Sequence, residues 1–198
     1  MFRDLSQYAQ CFENIILVPD RLNVTYGGFN RLDADLKCMR LLLQADHDWR
    51  HLINLCGQDF PINSNARIES FTRNLKLTES AIQSIELPSN HDKYRRVNRR
   101  QWTINEAPDD FGGVDDDGAA FDKEKMWFYA KNETYLNESP FPKIYFGSAY
   151  NIFSRRFLAW SFVNEKAVAL LNWCKATYSP DEHYWATLIR YRNVRTRF

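Results

Sequence analysis

The ten residues Tyr178-Ser179-Pro180-Asp181-Glu182-His183-Tyr184-Trp185-Ala186-Thr187 concentrate chemically able groups: two adjacent carboxylates, a histidine and an aromatic pair. Ser179 is a favoured N-cap type, Pro180 suits the first helical position, and Glu182 falls at the third. That order reads as a capping box. The serine side chain would accept from the N–H of residue 182, and the glutamate would reach back to the N–H of residue 179. The same placement sets the Glu182 carboxylate at the positive end of a helix, ionised at neutral pH and able to accept a proton. The motif alone favours the cap, because capping boxes are common at helix starts.

Other clusters carry less. Asp115-Asp116-Asp117 has the acidity of a metal site, but it follows no buried strand that would fix its geometry, so it reads as a solvated acidic loop. The basic run Lys93-Tyr94-Arg95-Arg96, continued by Arg99-Arg100, reads as a solvated loop as well. His47 and His51 have H-x-x-x-H spacing, which holds a metal only on a helix, and His51 reads as strand. There is no G-x-S-x-G, no Cys–His nucleophile setting and no Gly-rich phosphate loop.

The elements that must position these groups alternate. Residues 1–12 read as the end of a helix. Ile15-Ile16-Leu17-Val18 and Trp49-Arg50-His51-Leu52-Ile53-Asn54-Leu55-Cys56 are apolar runs that read as buried strands. Tyr26-Gly27-Gly28-Phe29 is a turn, after which Asn30 caps a helix carrying Leu32, Leu36, Met39 and Leu43 on one face. Gly57-Gln58-Asp59-Phe60-Pro61 is a polar loop following the second strand, where an open α/β sheet keeps its ligand crevice. A helix over residues 65–75 turns Ile68, Phe71 and Leu75 to one side. Ser84-Ile85-Glu86-Leu87 is a short strand. Ile144 to Phe153 reads as strand, Gly-Ser break, strand. Ser154 caps a short helix, and Asn164 opens another with Ala167, Leu170, Leu171 and Cys174 inward. This alternation predicts an α/β fold with a mainly parallel central sheet, in one domain over residues 1–198.

Bulk properties narrow the function. The 198 residues suffice for one ordinary domain, and 26 basic residues nearly balance 25 acidic ones, so no excess charge invites nucleic acid or an anionic membrane. Aromatics reach 15%, which suits stacking on pyranose faces but serves core packing more often. No run approaches the roughly 18 apolar residues of a membrane span, and the first residues show no signal region, so the chain taken alone reads as soluble. Cys11, Cys38, Cys56 and Cys174 have no metal-ligand cadence. Sequons begin at Asn23, Asn132 and Asn137; Pro140 follows the last, leaving Asn23 and Asn132 as the candidate glycosylation sites.

Three motifs in order resemble one family. They are Trp49-x-x-Leu52-Ile53-Asn54-Leu55-Cys56-Gly57-x-Asp59-Phe60-Pro61-Ile62; Gly147-Ser148-Ala149-Tyr150 with Ser154-Arg155 behind it; and Thr177-Tyr178-Ser179-Pro180-Asp181-Glu182-x-x-Trp185-Ala186-Thr187. Together with Ala34-Asp35-Leu36-x-Cys38-Met39, they are similar to the core 2 type β-1,6-N-acetylglucosaminyltransferases, relatives of the peptide O-xylosyltransferases. The resemblance implies a GT-A-like fold, a UDP-GlcNAc donor, no metal or other cofactor, inversion at the anomeric carbon, and a GalNAc or Gal acceptor on O-glycans of glycoproteins. It implies Glu182 as general base and Tyr26 as a donor contact. It also implies acceptor contacts at or near Gln83, His91 and Lys93. Gln83 stands where the family has an acid, which bears on acceptor identity. The family is Golgi-membrane anchored with a lumenal catalytic domain. Its anchor, its first strand and its basic diphosphate-binding segment match nothing here, so the chain is expected to be a partial domain, incomplete at both ends. The family's partners for Cys11 and Cys38 fall upstream of the matching region. The competing expectations are a peptide O-xylosyltransferase-like enzyme and a non-catalytic remnant or carbohydrate-binding module.

Overall fold

The computed structural model describes residues 2–19, 21–45, 47–88, 91, 97, 99–102, 112–113, 126–129 and 139–193. In chain order these form α1 (Phe2–Ala9), α2 (Phe29–Gln44), β1 (His51–Ile53), α3 (Asn65–Asn74), β2 (Arg99–Trp102), β3 (Gly112–Gly113), β4 (Met126–Tyr129), β5 (Ile152–Ser154), α4 (Arg155–Val163), α5 (Glu165–Cys174), a 3-10 turn (Pro180–Glu182) and α6 (Tyr184–Asn193). Asp115, Asp116, Asp117, Lys93 and Asn132 lie outside the described residues.

The expected mix of helices and strands is present, but the expected parallel sheet is not found. Among the described residues every strand pair is antiparallel. β1 pairs with β5, His51 opposite Ser154. β4 lies between β2 and β3 in a separate three-stranded sheet. Single antiparallel bridges join Ala81 to Ile152 and Ile85 to Phe146. A parallel pair needs a crossover between strands that succeed each other along the chain. Here the partner of β1 arrives about a hundred residues later, so it could enter in either direction, and local alternation carried no information about which. The 15–18 run is likewise not a strand: Ile15 and Ile16 are exposed, in irregular backbone. Residues 84–87 shrink to the bridge at Ile85.

The helical expectations fare better because their periodicity encodes one buried face. Leu32, Leu36 and Met39 of α2 are buried, as are Ala167, Leu170 and Cys174 of α5. Ser154 accepts from the N–H of Phe157 and Asn164 from those of Lys166 and Ala167, so both caps form as expected. Asn30 does not cap α2. Gly28 occupies that position, while Asn30 Oδ1 accepts from the backbone N–H and the hydroxyl of Thr25. α3 has its Ser64 cap but buries no residue.

The core sits where α4, α5 and α6 meet β5 and α2. Trp185 is fully buried, with its ring 4.7 Å from Phe153 and 6.1 Å from Phe157. Such pairs contribute about 0.5–1.5 kcal/mol each beyond burial. The aromatic richness near the motif is therefore core here, and Trp185 anchors the helix that follows the two carboxylates.

Candidate active site

The capping box predicted at Ser179 does not form. Ser179 holds left-handed backbone, φ 47 and ψ 56, and its side chain caps nothing. Pro180–Glu182 is a 3-10 turn, closed by the N–H of Glu182 donating to the carbonyl of Ser179 at 3.0 Å. The α-helix starts only at Tyr184, where the carbonyl of His183 accepts from the N–H of Thr187 at 3.0 Å. The sequence pattern was right about a helix start and wrong about its register. A tertiary bond wins: the N–H of Ser179 donates to the carbonyl of Gly27 at 2.8 Å. That bond turns Ser179 out of the extended conformation an N-cap requires.

His183 is buried beneath the turn. Its Nε2 lies 3.0 Å from the Thr177 hydroxyl, which itself donates to the carbonyl of Cys174 at 2.9 Å. With that hydroxyl proton committed, Nε2–H is the donor to Thr177, and the imidazole serves as a prop rather than an exposed base. Burial raises the Cys174 thiol above its ordinary range and keeps it inert.

Three distant segments close around this turn. The first is the Tyr26-Gly27 loop. Gly27 has φ 67, and a Cβ there would lie 2.4 Å from the Tyr178 ring, so only glycine fits. This seats Tyr26 edge-on to Tyr178, ring centres 6.4 Å apart, with the Tyr26 side chain 83% exposed. The second is the Gly147 turn. The N–H of Gly147 donates to the carbonyl of Glu182 at 2.8 Å. The third is the segment at Gln83, whose carbonyl would lie 2.1 Å from a Cβ on Gly147. Gln83 N–H donates to Asn151 Oδ1 at 3.2 Å, and Asn151 Nδ2 donates to the carbonyl of Ser148 at 2.8 Å. From α6, Arg190 donates to Ser84 and Thr187 exchanges hydrogen bonds with Tyr145, so this helix holds both segments in place.

Glu182, Tyr26 and Gln83 are thus brought to one turn. His91 is exposed, its N–H donating to the carbonyl of Pro88. Asn23 is exposed, and its backbone carbonyl accepts from Asn30 Nδ2. His51 stands on β1 with Nε2 3.1 Å from the carbonyl of Glu79, not on a helix with His47. Among the described residues no group of three His, Cys, Asp or Glu side chains is arranged to hold a metal ion. None of their helices is long and apolar enough to cross a membrane.

Sequence reasoning assigned no role to a polar cluster at the same place. Arg31 Nη1 pairs with Asp35 Oδ1 at 2.7 Å, and the guanidinium lies over the Tyr150 ring, 5.6 Å from its centre. Asn54 Nδ2 donates to Asp35 Oδ2 at 3.1 Å and to the carbonyl of Ala149 at 3.2 Å. Burial raises Asp181 above the ordinary carboxylate range, and the Glu182 and Asp35 charges add to that, while Arg31 opposes it. The available signal was two opposite charges four residues apart beside the apolar face of α2.

An exposed tyrosine ring beside a turn that carries a glutamate is an arrangement suited to a sugar substrate and proton transfer. The family model of the Core-2/I-Branching enzymes matches residues 1–197, and the chain belongs to that family of glycosyltransferases. It is 33% identical over 191 residues to a pig protein named probable β-1,3-galactosyl-O-glycosyl-glycoprotein β-1,6-N-acetylglucosaminyltransferase 7, covering 94% of this chain and 39% of that protein. It is 33% identical over 191 residues to human N-acetyllactosaminide β-1,6-N-acetylglucosaminyl-transferase, covering 96% and 42%. Human β-1,3-galactosyl-O-glycosyl-glycoprotein β-1,6-N-acetylglucosaminyltransferase matches at 35% over 188 residues, covering 94% and 38%. The chain spans about two-fifths of the length of these relatives.

Proposed function

We propose that this chain carries the catalytic base and part of the substrate crevice of an inverting β-1,6-N-acetylglucosaminyltransferase. The observation that carries the reading is the seat of Glu182, on a turn clamped by Gly27 on one side and Gly147 on the other. Such a seat fixes a carboxylate within the narrow geometry that proton transfer needs. In the reaction the Glu182 carboxylate takes the proton of the acceptor's 6-hydroxyl. The hydroxyl oxygen forms a bond to C1 of GlcNAc as the C1–oxygen bond to UDP breaks, and UDP leaves with the electron pair. The acceptor is GalNAc or Gal of a glycoprotein O-glycan, in keeping with the names of the relatives. Tyr26 offers its exposed ring to the donor, and Gln83, His91 and Lys93 are the acceptor contacts that the resemblance implies.

The fold of the whole enzyme is GT-A-like, its setting is the Golgi lumen, and no metal takes part. A transferase assay on the 198 residues and on longer forms of the protein tests this, with UDP-GlcNAc beside UDP-xylose and with EDTA added. Transfer from UDP-GlcNAc that survives EDTA is expected. Preference for UDP-xylose, or loss with EDTA and return with manganese, refutes the donor or the metal-free reading. Saccharide binding without turnover in any form would point to a non-catalytic module.

A further inference from the structure

The strand pairing beside Glu182 is interrupted. Ala81 bridges Ile152 and Ile85 bridges Phe146, so the two bridges stand four residues apart on one side and six on the other. The longer side bulges out of the ladder over residues 147–151, a device that re-aims chain beside functional sites. Between the bridges the N–H of Gln83 meets a side chain instead of a backbone carbonyl: it donates to Asn151 Oδ1 at 3.2 Å. The other end of that amide, Nδ2, donates to the carbonyl of Ser148 at 2.8 Å. Asn151 is only 6% exposed, and its own carbonyl accepts from the N–H of Asn54 at 3.0 Å. Both ends of a buried amide are thus satisfied, and the amide fills the gap in the ladder.

The same bulge holds Glu182. The N–H of Gly147 donates to the carbonyl of Glu182 at 2.8 Å, and the Gln83 carbonyl packs so closely on Gly147 that a Cβ there would lie 2.1 Å from it. Gln83 is exposed while its backbone is held. The bonds of the neighbouring Ser84 run to Ala186 and Arg190 of α6 instead. Asn151 is therefore the side chain that ties the Gln83 backbone to the loop on which Glu182 rests.

We propose that Asn151 is a positioning residue that sets the acceptor side of the site, at Gln83, against Glu182. The proposal rests on the reading of Glu182 as the base and Gln83 as an acceptor contact. The acceptor hydroxyl must come within hydrogen-bond reach of the base while the rest of the sugar is held elsewhere. Those two contacts lie on segments far apart in the chain, and the 147–151 bulge meets both. Gly147 meets the Glu182 side through a backbone bond, and Asn151 meets the Gln83 side through its amide. With the amide gone, Gly27 and Gly147 still hold the Pro180–Glu182 turn, but the Gln83 segment loses its tie to the bulge and shifts relative to Glu182.

Amide hydrogen exchange of Gln83 reads the tie in the 198-residue chain and in longer forms. Loss of one hydrogen bond in Asn151→Ala should speed that exchange about two- to tenfold, while Asn151→Asp keeps the accepting oxygen and should stay near the parent. In an active form, Asn151→Ala should raise the acceptor KM about tenfold and leave the donor KM unchanged. Asn151→Asp loses the donor to Ser148 and sets an oxygen against its carbonyl, so it should raise the acceptor KM as well; it also serves if Asn151→Ala folds poorly. A merely structural role would lower the amount of active protein, and so kcat, without moving the acceptor KM. Unchanged Gln83 exchange in Asn151→Ala overturns the proposal. So does an unmoved acceptor KM in both variants, or a rise of equal size in the donor KM. Normal turnover of Glu182→Gln, by contrast, removes the base reading alone, because neither the exchange rate nor the acceptor KM depends on proton transfer.

Discussion

The N–H of Ser179 donates to the carbonyl of Gly27 at 2.8 Å, and both residues lie in the left-handed region, at φ 47 and 67. For a residue with a Cβ that conformation costs about 1–2 kcal/mol. Ser179 is the only non-glycine residue at positive φ among the described residues, and it adjoins the carboxylates. Strain of this kind persists where surrounding contacts impose it.

The strain is testable from both partners. Ser179→Gly removes the Cβ penalty and should leave stability unchanged or raise it by up to about 1 kcal/mol, whereas loss of a true N-cap serine to alanine costs about 0.5–2 kcal/mol. Gly27→Ala places a Cβ against the Tyr178 ring and should destabilise by about 1–3 kcal/mol. Urea unfolding reads both; a clearly destabilised Ser179→Gly would contradict the assignment of strain.

Glu182→Gln keeps size and most hydrogen bonding but removes the proton acceptor. Turnover should fall at least about a hundredfold. Because the Ser179 side chain makes no capping bond and glutamine keeps most of the hydrogen bonding of glutamate, the melting temperature should shift by less than about 2–4 °C. Near-normal turnover, or a loss that tracks unfolding, would show that Glu182 is not the base.

Asp181 predicts a pH signature of stability. Burial first, then its acidic neighbours, raises its folded-state value above the ordinary 3.8. A raised carboxyl contributes stability that is fully present below the unfolded value and lost as pH climbs through the folded one. Asp181→Asn does not titrate, so its stability relative to the parent should increase with pH from 3.8 through that raised value and then level. Paired urea titrations across the acid range check this. A difference that is flat, or that shrinks as pH rises, contradicts the assignment.

The four thiols should separate by accessibility. Cys11 and Cys38 are exposed and free, Cys56 is half-buried, and Cys174 is buried with its thiol pushed up by burial. Aromatic disulfide reagents should label Cys11 and Cys38 in the native protein and reach Cys174 only on unfolding. Peptide mass mapping should find no bridge between Cys11 and Cys38; a Cys11–Cys38 disulfide in secreted protein, or early labelling of Cys174, would overturn this arrangement.

What the sequence determined by itself is local and periodic. The inward faces of α2 and α5 and the caps at Ser154 and Asn164 follow from spacing of about 3.6 residues and from side chains that reach their own backbone. The expectation that Glu182 is the base and Tyr26 a donor contact came from the family resemblance, not from spacing or periodicity. Tertiary structure alone decided the rest. It chose antiparallel partners for β1 and β5, because strand direction is set by where a distant segment arrives. It replaced the capping box with a 3-10 turn, because the bond from Ser179 to Gly27 fixes a backbone conformation that local propensity would not select. And it brought Asp181, from the turn before α6, within electrostatic reach of the Arg31–Asp35 pair on α2, because only chain packing joins those two segments.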